Sequence, residues 1–164
     1  MKPIVMAIGL SLLPTLAFAD ATASFVNKAG MKSGSATLTS TPQGVLIEIE
    51  VSGLPPSGWV AFHVHETGSC DHATGHESAG GHFNPAEAEH GYLSSTGPHA
   101  GDMPNVWVDA EGVARAQVFN PLITLTDGDV GVTGRALMIH AKPDDYGSQP
   151  SGAAGERLAC GVIE

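Results

Sequence analysis

Eight histidines occur in 164 residues, and seven of them, His63, His65, His72, His76, His82, His90 and His99, fall between positions 63 and 99. His63 and His65 lie in the run 59–65, where Val60, Phe62 and Val64 share one face of a strand and Ala61, His63 and His65 the other. Two imidazoles side by side suit a borderline metal ion such as zinc, copper, iron or nickel. Taken alone, the pair fits two hydrogen-bonded strand histidines equally well. Other residues shift that balance. The stretch Gly80-Gly81-His82-Phe83-Asn84-Pro85 puts a histidine on a Gly-hinged loop, with His90, His99 and Asp102 further along it. Three imidazoles and one carboxylate make a closed, tetrahedral zinc set, and Asp102 is its only anion. His140 ends the run 135–140 and can return to the face of His63 and His65. The spacing supports two neighbouring metal sites.

These side chains need a β scaffold. Residues 45–51 read Val-Leu-Ile-Glu-Ile-Glu-Val, a half-buried strand with Glu48 and Glu50 on its outer face. Similar runs occur at 21–26, 35–40, 59–65, 105–108, 113–119, 135–140 and 158–163, separated by turns such as Pro42-Gln43-Gly44 and Asp127-Gly128-Asp129. No stretch holds helical periodicity over three turns. The pattern predicts an all-β, eight-stranded antiparallel Greek-key sandwich or flattened barrel. Segments 66–104 and 141–156 interrupt it as two long, polar, Gly-rich loops, and such loops in a compact domain tend to carry function.

Composition narrows the function classes. Seven Lys and Arg against 17 Asp and Glu give a formal charge of -10, which disfavours binding to nucleic acid or anionic lipid. Aromatic residues, at 5%, are too scarce for a base-stacking surface. The chain has no internal repeat, phosphate-binding loop, Gly-x-Ser-x-Gly elbow or His-Glu-x-x-His helix. Met1-Lys2-Pro3, an apolar stretch over 4–16, and Ala17-Phe18-Ala19 have the three parts of a secretory signal peptide. The stretch is shorter than the roughly 20 residues of a membrane-spanning helix. The expectation is a leader over 1–19, one domain over 20–164 and no anchor after cleavage. The mature chain then has 6 basic against 17 acidic residues, a formal charge of -11. Cys70 and Cys160, an even count in an exported chain, are expected to form one disulfide closing a 90-residue loop.

The run Ala61-Phe62-His63-Val64-His65-Glu66-Thr67-Gly68-Ser69-Cys70, the segment Gly81-His82-Phe83-Asn84-Pro85, the spacing of His82, His90, His99 and Asp102, and the end Gly155-Glu156-Arg157-Leu158-Ala159-Cys160-Gly161-Val162-Ile163 together resemble the copper/zinc superoxide dismutase family. The resemblance covers essentially the whole mature chain. It implies copper held by His63, His65, His82 and His140, zinc held by His82, His90, His99 and Asp102, one of each per subunit, and His82 shared between them. It further implies that Asp144 accepts N–H bonds from a ligand of each metal, that Arg157 is the active-site arginine, and that Cys70 pairs with Cys160. The implied reaction turns superoxide into oxygen and hydrogen peroxide by one-electron cycling of copper. Zinc, with a filled d shell, cannot take that role.

The remaining residues have plainer readings. His72 and His76 match no ligand position and are expected to be solvated. Glu48, Glu50, Glu87 and Glu89 read as surface charges, Trp59 and Trp107 as packing residues, and Arg135 as structural. Lys142 is the only base in the loop 141–156, so it either adds to the field at the copper channel or is an ordinary surface charge. That loop is poorer in positive charge than in many relatives, so attraction of the anionic substrate must be local to copper and Arg157, with Lys142 as a further candidate. The competing reading is a secreted copper/zinc-binding or buffering protein without turnover. A zinc hydrolase fits less well because Asp102 fills the fourth zinc position, and a purely structural sandwich leaves the ligand spacing unexplained. The expected location is the periplasm, with the chain a monomer or a homodimer.

Overall fold

The computed structural model describes residues 20–164; the expected leader over 1–19 lies outside the described residues. Nine strands run in the order β1 (Asp20–Asn27), β2 (Lys32–Thr41), β3 (Gly44–Val51), β4 (Gly58–Val60), β5 (Phe62–His65), β6 (Val106–Val108), β7 (Ala114–Asn120), β8 (Ala136–His140) and β9 (Arg157–Ile163). They pair antiparallel in one sheet ordered β4-β6-β7-β3-β2-β1-β9-β8-β5. Its two end strands are joined through Ala61, so the sheet curls into a nearly closed barrel. The neighbours β3 with β7 and β1 with β9 come from long crossovers, the connection pattern of a Greek key.

Every expected strand run is present, and one is divided, which turns eight into nine. The run 59–65 breaks at Ala61 because its backbone changes partners there. Residues up to Val60 pair with β6. Ala61 donates its N–H to Lys142 O at 2.9 Å and its carbonyl accepts from His140 N at 3.0 Å, which carries the chain over to β8.

The barrel interior follows strand alternation. On β3, Val45, Ile47, Ile49 and Val51 are buried while Glu48 and Glu50 are exposed. Phe25, Leu38, Phe62, Val64, Leu137, Ile139 and Ile163 join them in one apolar cluster, each worth about 1.5–3 kcal/mol of transfer free energy. A second, smaller cluster lies outside the barrel: Ala136 and Met138 of β8 and Cys160 of β9 pack against Ala79 of the long loop 66–104. The Cys70–Cys160 disulfide, with a Cα–Cα separation of 5.5 Å, fastens that loop to β9. Arg135 acts as a structural tie. Its guanidinium lies 3.8 Å from the centre of the Phe83 ring and donates to Gly131 O and Glu66 O.

Trp59 and Trp107 depart from the packing role expected of them. They sit opposite each other on β4 and β6, ring centroids 5.3 Å apart and edge to face, and about half of each is exposed on the outer surface. The alternation on these short strands turns Val60, Val106 and Val108 inward instead. Among the described residues no helix is long and apolar enough to cross a membrane.

Candidate metal centre

The site is built on the outer face of β5 and β8. In the antiparallel register His63 lies opposite Met138 and His65 opposite Ala136, so the histidines share the face that also carries His140. Phe62 and Val64 face the core, and all four residues of β5 are buried. The free edge of β5 is taken up by the loop 66–104. Val64 N donates to Gly101 O, Phe83 N to Val64 O and Gly101 N to Phe83 O, each at 2.8 Å. This pairing sets His82 beside His65 and Asp102 beside His63. Gly101 is required because a Cβ there would run into Val64 O and Phe83.

Two groups of four donors result. One ligand atom from each of His63, His65, His82 and His140 lies within 4.8 Å of the others, and the same holds for His82, His90, His99 and Asp102. The structure thus brings together all seven residues expected to hold metal, with His82 in both sets.

The hydrogen bonds fix which nitrogen is free. His63 donates from Nε2 to Asp144 at 2.9 Å, His65 from Nδ1 to Gly80 O at 2.9 Å, and His140 from Nδ1 to Gly155 O at 3.4 Å. Their remaining nitrogens carry lone pairs. His63 Nδ1 and His82 Nε2 are buried without a partner, and the Nε2 atoms of His65 and His140 face each other at 3.3 Å. Unpartnered buried polar atoms are costly, and converging lone pairs are the environment a cation relieves.

In the second group, the Nδ1 atoms of His82, His90 and His99 converge on the Asp102 carboxylate at 2.9, 3.1 and 3.3 Å. Gly91 N and His99 N bind the other side of that carboxylate at 2.9 and 3.0 Å and hold it in place. The donor sets therefore fit the two metals: four imidazole nitrogens, and three imidazoles with one carboxylate.

The same arrangement sets the proton affinities. Burial lowers the pKa of His63, and it lowers His65 to about 2, His140 to about 3 and His82 to about 4, the last despite its bond to Asp102. Burial also works against charging His90, but Asp102 and Asp144 flank the ring and raise its pKa to about 9. Asp102 and Asp144 resist burial in turn. Histidine bonds hold both well below the usual carboxylate range. Asp144 joins the groups, accepting from His63 Nε2 on one oxygen and from His90 Nε2 on the other at 3.0 Å.

Arg157 starts β9 beside a cleft of about 470 Å³ whose lining includes His65, His82, His99 and His140. Its Nη1 donates to His76 O and its Nη2 to Gly80 O, both at 2.8 Å. His76 is thus not solvated, as expected, but fully buried, with both ring nitrogens unpartnered. Folding of the loop over β8 and β9, fastened by the disulfide, encloses it; His72 remains exposed. Lys142 is exposed and does not line the cleft.

Several supporting residues went unrecognised in the sequence. Gln149 accepts from His90 N and donates to His90 O, and Asn105 exchanges two bonds with the backbone of Asp144. Glu66 accepts from Gly81 N next to His82, and Tyr92 donates to Asp102 O. Gly152, at a φ of +67, lies so close to Asp144 and His90 that a side chain there would collide with both. The one local signal for these is that Gln149 and Gly152 fall in the loop 141–156 next to Asp144.

Residues 32–163 match the family model described as copper/zinc superoxide dismutase (SODC). The chain belongs to the copper/zinc superoxide dismutase family. It is accordingly an oxidoreductase with copper and zinc as cofactors and superoxide as substrate. It is 51% identical over 146 residues to superoxide dismutase [Cu-Zn] 1 of Aquifex aeolicus, covering 87% of this chain and 86% of that one. With superoxide dismutase [Cu-Zn] of Caulobacter vibrioides it shares 40% identity over 141 residues, 82% and 80% of the two chains. The crystal structure of a SOD-like protein from Bacillus subtilis superposes with a TM-score of 0.84 at 36% identity, covering 90% of this chain and all of that one.

Proposed function

We propose that the four nitrogens of His63, His65, His82 and His140 hold the copper and that His82, His90, His99 and Asp102 hold the zinc, one of each per chain. The observation that carries this assignment is His82, whose Nδ1 belongs to the carboxylate-containing group while its Nε2 points unpartnered into the all-nitrogen group. When bound, copper supplies the one-electron exchange that the reaction needs, and zinc closes the second set.

The chain's own residues do the rest. Two superoxide anions and two protons become oxygen and hydrogen peroxide, so the site must attract an anion and deliver protons. Arg157 attracts the anion. Its guanidinium has five N–H donors, and the bonds to His76 O and Gly80 O use one hydrogen on each terminal nitrogen, leaving donors free beside the cleft. His82 lines the same cleft, and its unpartnered Nε2 would hold one of the two protons. Asp144 fixes the His63 and His90 rings so that each presents its Nδ1 inward.

The Lys-led apolar N-terminus and the disulfide support export, with a mature domain over 20–164 working in the periplasm against superoxide outside the cytoplasm. A monomer or a homodimer would serve equally, because both donor sets and Arg157 come from one chain. A buffering protein is the less favoured reading, because storage does not need the seated Arg157.

The test is a metal count together with electron paramagnetic resonance on protein carrying copper and, in the zinc position, cobalt. One metal of each kind per chain, with magnetic coupling that vanishes in His82→Ala, is expected. Two uncoupled ions in the parent would overturn the shared role of His82.

A further inference from the structure

Among the described residues, two side chains of the Lys, Arg, Asp and Glu types line the cleft, Arg157 and Glu77. Glu77 opens the short 3-10 turn Glu77–Ala79 in the loop 66–104, and its Oε2 lies 3.3 Å from Arg157 Nη2. The two groups differ in how they are held. Arg157 has a side chain only 14% exposed and is seated by the carbonyls of His76 and Gly80. His76 is held at a φ of +66, where its carbonyl meets the guanidinium. The Glu77 side chain is 71% exposed and, among the described residues, the ion pair to Arg157 is its one polar contact.

We propose that Glu77 is a rate-setting residue at the cleft mouth, a carboxylate that competes with the anionic substrate for Arg157 and keeps the enzyme below the rate its site would otherwise reach. The proposal rests on the reading of Arg157 as the group that attracts superoxide. The physical argument is one of sign and distance. A carboxylate about 3–4 Å from a guanidinium cancels most of its field for an approaching anion, and in a chain with 17 acids and 7 bases no wider positive field replaces it. Glu77 is not needed to hold Arg157 in place, because the two carbonyl bonds persist without it. With its Glu77 partner 71% exposed, the pair also adds little stability.

The experiment compares the copper- and zinc-loaded parent with Glu77→Gln, Arg157→Gln and, as a remote control that removes the same charge, Glu48→Gln on the far surface of β3. The readouts are superoxide turnover from low to high ionic strength and azide affinity, followed by the copper visible absorption. Glu77→Gln is expected to raise the low-salt rate about threefold and to tighten azide binding by a similar factor, with both gains fading as salt screens the cleft. Glu48→Gln is expected to leave rate and azide affinity at the parent values. A Glu77→Gln rate equal to the parent's, or a gain that Glu48→Gln reproduces, would overturn the proposal. A slower Glu77→Gln with weaker azide binding would also overturn it, by showing Glu77 to be a strut for Arg157. Arg157→Gln separates the two readings. If it matches the parent in rate and azide affinity, the reading of Arg157 fails and the competition fails with it. If it is slower while Glu77→Gln is unchanged, only the proposal for Glu77 falls.

Discussion

Strands β5 and β8 present two surfaces that are equally dry and chemically opposite. Inward, Phe62, Val64, Leu137 and Ile139 enter an apolar cluster that needs nothing more than its own packing. Outward, His63, His65 and His140 lie under two loops held by a disulfide, a pair of carboxylates and backbone bonds, with several nitrogens left unpartnered. The inner surface is complete as folded, whereas the outer one is complete only when cations occupy it. Fold stability and chemistry should therefore separate between the two faces of the same strands.

The largest effect that would break this separation is expected at His140. Truncation to His140→Ala removes a copper donor, so turnover should fall by more than about a hundredfold, beyond the loss from outer hydrogen-bond partners. The urea midpoint of the metal-free protein should barely move. On the inner face, Leu137→Ala should lose about 2–5 kcal/mol in urea unfolding, while the folded fraction still binds one copper and one zinc. Asp144→Asn tests the link between the two donor sets and should weaken metal affinity by about 10–100-fold in competition with a chelator.

The smallest effect is a pH dependence confined to the outer face. In the metal-free protein, burial holds His65 at about 2, His140 at about 3 and His82 at about 4, whereas unfolded histidine titrates near about 6.5. These groups are neutral when folded and take up protons on unfolding below that pH. Their contribution is full above about pH 6.5 and drains as the pH falls towards their folded values. His90, raised to about 9, runs the other way: its contribution is full below about pH 6.5 and is lost as the pH rises towards 9. Melting of the metal-free protein should thus fall from pH 6.5 to pH 4, with a shallower slope in His140→Ala. A slope unchanged by that substitution would place the acid sensitivity elsewhere.

The two surfaces also differ in how much of them the sequence discloses. The inner face follows from alternation, as on β3, because strand geometry alone assigns each side chain to a face. The ligands are legible for a different reason: imidazole and carboxylate are few, and their order along the chain matches a known pattern. What holds the ligands is not legible. Gln149, Asn105 and Glu66 are ordinary polar loop residues whose roles arise from partners 59, 39 and 15 positions away. His76 is buried only because the disulfide and the loop fold over it, which composition does not register. The break at Ala61 is equally hidden, since neither Gly nor Pro marks the place where the strand changes neighbours.

The most direct test of the account is superoxide turnover by the mature protein loaded with copper and zinc, set beside zinc-only protein and copper-loaded His140→Ala. Fast turnover confined to the copper- and zinc-loaded parent is the predicted result. Tight binding of both metals without turnover would contradict it and leave a metal-buffering protein on the same barrel.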